Sequence, residues 1–182
     1  MGTKTVVVSL GRDYNPDRTA AGPNTKLRCD KTLEESKRLR DVGKAVVLAM
    51  APGREASRIE GLTMGAMMGQ YFLDGHEDIP PDIPLMVNRD DREVWGTLAE
   101  MRWVFDAFPS DSDVKFVFVT DRRHGIRVML IARWFFVGRK VRVVVSDDPA
   151  SSLFHEVLGY AKLLAVKVGF ERQAEWLSRQ IT

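Results

Sequence analysis

Five short runs of apolar residues are spaced along the chain, and valine is frequent in them. They are Thr5–Leu10, Ala45–Ala51, Pro84–Asn88, Val114–Thr120 and Val141–Ser146. Within each run the hydrophobic residues are nearly continuous and do not alternate with polar ones, which is typical of strands covered on both faces. The pattern therefore predicts five buried strands.

Segments with helical spacing lie between and after these runs. They are Leu33–Val42, Ile59–Leu73, Arg92–Phe108, Ile126–Val137, Ser151–Val168 and Glu171–Ile181. The segment 126–137 is apolar nearly all round, which predicts burial on several sides. Alternating strands and helices indicate a single α/β domain over residues 1–182, closed by the helices at about 151–181. The expected fold is a three-layer, Rossmann-like α/β/α arrangement whose mainly parallel sheet has the order 3-2-1-4-5.

Composition limits the classes of partner. The chain has 182 residues, 45% hydrophobic and 29% charged, as in soluble globular proteins. Its net charge of +2 gives no overall electrostatic reason to expect nucleic acid or a membrane as partner. Cys29 is the single cysteine, so no disulfide can form within the chain. The apolar run at the start of the sequence is too short for a signal peptide, and no apolar run is long enough to span a membrane. We expect a cytoplasmic protein, and a homo-oligomer remains open.

Polar residues follow each of the five strands. In open parallel sheets, ligands bind beyond the carboxyl ends of the strands, where the strand order reverses. The fourth strand has the most distinctive end, because Asp121, two arginines, His124 and Arg127 follow it at the start of a helix. Positive charge there opposes the helix dipole, which favours anions at a helix N-terminus. This arrangement predicts that something anionic binds there.

His124 and Arg127 are three residues apart and lie on the same side of a helix. Their functional interpretation is an anion clamp, in which Arg127 presents a planar fork of donors and His124 supplies a hydrogen bond or a proton. The alternative is a surface histidine, with an arginine that pairs with a nearby carboxylate. Thr120 and Asp121 either contact the ligand or cap the helix. If the ligand is turned over, His124 is the candidate general acid or base.

Six further residues near strand ends are candidate ligand contacts: Glu60, Asn88, Asp91, Gly11, Arg12 and Gly53. Each has a structural alternative. Glu60 also suits the first turn of a helix because of the dipole, and the two glycines also suit simple turns.

Several common site motifs are missing from the sequence. There is no GxxxxGK[ST], no GxGxxG after the first strand and no GxSxG. His155-Glu156 begins like a zinc-protease helix, but Gly159 stands where the second histidine belongs. We therefore expect no metal site.

Two blocks of the chain resemble the YdcF/SanA/ElyC-like family of bacterial proteins. The family signature Val-Thr-Ser-x-x-His-x-x-Arg is similar to Val119-Thr120-Asp121, His124 and Arg127. The Gly-rich turn and Glu-Ala-x-x-Met of the family are similar to Ala51-Pro52-Gly53 and Glu60 to Met64. Leu10-Gly11 fits the first block, whereas the third block differs, with Asn88, Asp91, Glu93-Val94 and Gly96-Thr97.

The resemblance covers about residues 5 to 170 and identifies the chain as a divergent member. It implies a Rossmann-like domain with a cleft at the strand ends, and it makes S-adenosylmethionine or a nucleotide a candidate cofactor. The leading hypothesis is a binding protein or enzyme for a small anionic, nucleotide-like molecule.

Two alternatives remain open. One is a non-enzymatic interaction module that uses the basic region 115–142, which has eight Lys or Arg and one acid. The other is a degenerate family member that keeps the fold without the ligand.

Overall fold

The computed structural model describes residues 4–53, 62–75, 79–87, 96–109 and 113–169. Strands and helices alternate along these residues, as the hydrophobic pattern predicts. The strands are β1 (Lys4–Ser9), β2 (Ala45–Met50), β3 (Leu85–Val87), β4 (Lys115–Thr120) and β5 (Lys140–Val145). The helices are α1 (Pro23–Asp41), α2 (Met64–Gly75), α3 (Thr97–Asp106), α4 (Arg122–Phe135) and α5 (Leu153–Lys167).

The five strands form one parallel sheet in the order β3-β2-β1-β4-β5. The predicted Rossmann-like α/β fold and strand order are therefore confirmed. β1 lies at the centre, where Val7 is opposite Leu48 of β2 and Val117 of β4. The chain builds outward from β1 to β3 and then returns to place β4 on the other side of β1. The strand order consequently reverses between β1 and β4.

Helices cover both faces of the sheet, which explains why β1, β2 and β4 are apolar along most of their length. The edge strands β3 and β5 are only partly buried, so the prediction of five buried strands is wrong at the two edges of the sheet. Val6 and Val8 of β1 belong to a cluster that includes Phe105 of α3 and residues of α4 and α5. Val7, between them, belongs to a second cluster that includes Met68 of α2 and residues of α1. Neighbouring residues of a strand point to opposite faces, so consecutive valines contribute to two separate cores.

Helix α1 begins well before its predicted range of 33–42. Pro23 occupies the first turn, where its missing N–H is not needed. The Asp13 carboxylate accepts hydrogen bonds from the N–H groups of Asn24 (3.3 Å) and Thr25 (2.8 Å). These first turns bury polar residues, Thr25 among them, so no apolar periodicity marks them in the sequence.

Helix α4 corrects the prediction that segment 126–137 is buried on several sides. Val128 and Ile131 are buried, but Ile126 and Met129 are 57% and 43% exposed. The helix starts at Arg122, upstream of the apolar residues, and packs one face against the sheet. An amphipathic helix on a sheet needs only one buried face, and the sequence does not show that the remaining apolar residues lie in solvent.

Helix α2 lies close to the sheet through its glycines. A Cβ on Gly65 would come within 2.9 Å of the Ala51 carbonyl oxygen, and one on Gly69 within 2.8 Å of the Val87 side chain. These two glycines therefore allow α2 to approach the sheet closely. The predicted starts of α2 at residue 59 and of α3 at residue 92, and the predicted closing helix 171–181, lie outside the described residues.

Candidate functional site

A cleft of about 560 Å³ opens at the carboxyl edge of the sheet, across the point where the strand order reverses. Six of the predicted site residues line it: Gly11, Arg12, Gly53, Asp121, His124 and Arg127. Thr120 hydrogen-bonds to the His124 ring. Glu60, Asn88 and Asp91 lie outside the described residues.

Asp121 caps helix α4. Its Oδ1 accepts hydrogen bonds from the N–H groups of Arg123 and His124, each at 3.0 Å. The N–H of Ser151, at the start of the segment before α5, reaches the same oxygen at 3.2 Å. The negative charge that the sequence predicts at this helix N-terminus is therefore supplied by the chain itself.

Arg28 of α1 joins the ends of three strands and has a fully buried side chain. It donates to the Leu10 carbonyl (3.0 Å), to Asp121 Oδ2 (2.7 Å) and to Asp148 Oδ2 (3.0 Å). Burial opposes the charge of Asp121, but the backbone N–H groups of His124 and Ser151 and the Arg28 charge together keep the pKa of Asp121 below its usual value.

Arg12 lies at one side of the cleft and reaches the segment after β5. Its guanidinium is 2.8 Å from Asp148 Oδ2 and also donates to the Pro149 carbonyl. The Arg12 backbone N–H donates to Thr25 Oγ1 at 3.0 Å. The Arg12 charge is therefore already paired with Asp148.

His124 is held at both ring nitrogens. Nδ1 is 2.9 Å from Thr120 Oγ1, and Nε2 is 2.8 Å from Thr97 Oγ1. Burial, together with the charges of Arg127 and Arg28, lowers the pKa of His124 well below its usual value. A neutral imidazole has one donor and one acceptor nitrogen, so one threonine donates to the ring and the other accepts from it. Its general acid or base role stays a prediction.

Arg127 points into the same cleft as His124. Its Nη1 is 3.3 Å from Glu156 Oε2, but Arg127 Nε and Glu156 Oε2 are buried and have no hydrogen-bond partner among the described residues. Glu156 Oε1 accepts from Ser151 Oγ at 2.7 Å. The Arg127–Glu156 pair is thus an ion pair without a well-formed hydrogen bond, and buried polar atoms of this kind cost free energy.

Two further ionisable groups line the cleft. Burial raises the pKa of Glu100 to about 7, although the charges of Arg127 and Arg28 favour its ionised form. Burial lowers the pKa of Lys162, and the nearby Arg127 charge lowers it further. Among the described residues, no carboxylate lies within ion-pair distance of Lys162.

Gly11 and Gly53 make room for the side chain of Met64. A Cβ on Gly11 would lie 2.1 Å from Met64 Cγ, and one on Gly53 would lie 2.7 Å from Met64 Cβ. Gly53 also has a φ of 61°, which a residue with a side chain rarely adopts. The glycines therefore bring the turns after β1 and β2 against α2 at one end of the cleft.

Sequence reasoning missed several cleft residues: Arg28, Thr97, Glu100, Glu156 and Lys162. Thr97 belongs to the third block compared above, so a signal for it existed. The other four are charged residues on helices, where the sequence alone favours solvated positions. Only the packing of α1, α3 and α5 around the strand ends reveals them.

The basic region 115–142 makes several contacts within the chain. Arg139 donates to the Phe108 carbonyl at 2.8 Å, Lys140 lies 3.6 Å from Asp113, and Arg142 bonds to Glu35. In the described ranges, no helix combines the length and apolar character needed to cross a membrane. The same ranges contain no group of three or more His, Cys, Asp or Glu side chains arranged to hold a metal ion.

Comparison with known proteins finds no match of any of three kinds. No family model matches the chain, no curated protein is significantly similar to it, and no solved structure matches it.

Proposed function

We propose that this protein binds a small anionic, nucleotide-like molecule in the cleft at the strand ends. The observation that carries this proposal is the Arg127 guanidinium, which lies in the cleft with its Nε unsatisfied and its carboxylate partner poorly aligned. Arginine in such a position is suited to a planar or tetrahedral anion, to which it donates two parallel hydrogen bonds.

The position and size of the cleft support the same proposal. It spans the reversal point between β1 and β4, where ligands of Rossmann-like folds bind. Its volume of about 560 Å³ lies within the range of small-molecule sites. Lys162 adds a second cation beside Arg127.

We also propose that the chain is a divergent member of the YdcF/SanA/ElyC-like family. The observed fold is the one that the resemblance implies, and the motif residues His124 and Arg127 line one cleft, with Thr120 hydrogen-bonded to the His124 ring beneath it. This membership makes S-adenosylmethionine one of the ligands to be tested.

A thermal-shift screen of the wild type and Arg127→Ala tests the binding proposal. The panel contains nucleotides, S-adenosylmethionine, sugar phosphates, inorganic phosphate and sulfate. A ligand at 100 times its Kd stabilises the folded state by about 2.7 kcal/mol, which raises the Tm of a protein of this size by roughly 5–10 °C. We expect such a shift in the wild type and its loss in the variant.

Arg133→Ala is the matched control, because Arg133 lies on the same helix but is exposed. It should keep the full ligand shift. An equal shift in Arg127→Ala would place the ligand elsewhere. No shift with any compound would remove the proposal and favour the interaction module or the degenerate member, and salt-dependent binding of nucleic acid or an acidic protein would then support the module.

A further inference from the structure

The helices that begin at the carboxyl edge are largely capped by the chain itself. Asp13 accepts a hydrogen bond from the N–H of Thr25 in the first turn of α1, and Asp121 accepts one from the N–H of His124 in the first turn of α4. In many nucleotide-binding folds, the phosphate occupies the N-terminus of the helix after the first strand. Here a carboxylate already fills that position, so an anionic ligand needs a different one.

Positive charge without a well-formed partner is concentrated at the β4–β5 side of the cleft. Arg127 on α4 and Lys162 on α5 are close enough for the Arg127 charge to lower the pKa of Lys162. Arg127 has one carboxylate partner, Glu156, which is bonded to Ser151 and only poorly aligned with Arg127, and Lys162 has no carboxylate within ion-pair distance among the described residues. By contrast, the charge of Arg28 on the floor of the cleft is balanced by two carboxylates.

The β1–β2 side of the cleft has a different surface. The turns after these strands present Gly11 and Gly53, and Met64 of α2 fills the space between them. Arg12, next to Gly11, directs its guanidinium to Asp148. This end therefore presents two glycines and the Met64 side chain, with the Glu100 carboxyl beside Gly53. A mostly apolar surface with one polar group is suited to the face of a ring.

We infer that the ligand lies across the strand ends with a phosphate between Arg127 and Lys162 and an uncharged ring against Met64. This inference rests on the proposed binding of an anionic molecule and specifies its class and orientation. A nucleoside monophosphate has the required shape, with an anionic group at one end and a flat ring at the other. The N-terminus of α3, at Gly96, has no side-chain cap and is the competing phosphate position.

Calorimetric titration of wild type and Lys162→Met with AMP, ribose 5-phosphate and adenosine tests the phosphate position. Loss of one charged hydrogen bond weakens binding about 10- to 100-fold. Lys162→Met should therefore weaken the binding of AMP and ribose 5-phosphate by at least about tenfold and leave the binding of adenosine unchanged. Lys167→Met, an exposed lysine on the same helix, is the control and should bind all three compounds like the wild type.

The ring position is tested by NMR of protein labelled at the methionine methyl groups, with Met64→Leu to assign the Met64 signal. AMP and adenosine should shift the Met64 signal, and ribose 5-phosphate should not. AMP binding that is equally tight in Lys162→Met, or a Met64 signal that AMP and adenosine leave unmoved, would overturn the inference and leave the proposed function standing. Failure of the wild type to bind any anion of the panel would overturn both.

Discussion

A methyl group added to α5 should disable the cleft without unfolding the protein. Gly159 faces the Arg127 guanidinium so closely that a Cβ would lie 1.7 Å from Nη1 and 2.8 Å from Cζ. Neither distance is tolerable between unbonded atoms, so Gly159→Ala must displace Arg127. The displaced atoms are the flexible end of a long side chain, and the helix itself need not move.

The effect on stability should be small because two contributions oppose each other. Alanine stabilises a helix interior by about 1 kcal/mol relative to glycine. Loss of the Arg127 partner leaves the buried Glu156 carboxylate without its cation, which costs about 1–3 kcal/mol for an imperfect pair. The net destabilisation is about 1 kcal/mol, or a Tm decrease of roughly 2–4 °C. AMP binding, in contrast, should weaken about 10- to 100-fold.

The assay is a double-mutant cycle of Gly159→Ala and Arg127→Ala, with the AMP Kd from calorimetry and the free energy of unfolding from urea titration. In the Arg127→Ala background, Gly159→Ala should increase stability by about 1 kcal/mol and leave AMP binding unchanged. Unaltered AMP binding in the single Gly159→Ala variant would refute the reasoning. So would a binding loss that adds fully to that of Arg127→Ala.

Two stability measurements test the charged groups around the cleft. Arg28→Met should lower the free energy of unfolding by about 3–5 kcal/mol, since it removes the cation from buried Asp121 and one of the two cations that pair with buried Asp148. A loss below about 1 kcal/mol in urea titration would contradict this expectation. The raised pKa of Glu100 makes its contribution to stability complete below pH 4.5 and lost as the pH rises through about 7. Glu100→Gln should remove that decline between pH 4.5 and 7, and an unchanged pH profile of Tm would contradict the raised pKa. The lowered pKa of His124 has the opposite effect on the pH profile, because stability is lost as the pH falls below 6.5. Glu100→Gln is therefore compared with the wild type at each pH.

The pattern of hydrophobic residues along the sequence was sufficient to predict the strands and the order of the sheet. The continuous apolar runs identified all five strands, because a strand buried on both faces needs a hydrophobic residue at nearly every position. Alternation with helices then restricted the connections to parallel crossovers and led to the observed strand order. The pattern was weaker at helix starts. Helices α4 and α1 begin at Arg122 and Pro23 because Asp121 and Asp13 accept hydrogen bonds from backbone N–H groups of their first turns, which hydrophobic spacing does not show.

The candidate site was partly predictable for a similar reason. His124 and Arg127 follow a strand directly and are three residues apart, so topology and helix geometry alone bring both to the cleft. The sequence did not show that Asp121 would neutralise its own helix, because a capping residue and a ligand contact look alike before the hydrogen bonds are known. Glu60, Asn88 and Asp91 remain predictions.

The sequence by itself determined the strands and the polar residues that follow them, since each is set by residues close together in the chain, and general rules for parallel connections then gave the strand order. Tertiary structure alone decided the charge distribution at the carboxyl edge of the sheet. Arg28 comes from α1 and is neutralised by carboxylates that follow β4 and β5, whereas Lys162 of α5 lies beside Arg127 and near no described carboxylate. The sequence does not distinguish a charged helix residue whose charge is balanced from one whose charge is available to a ligand. Only its neighbours in space decide between the two.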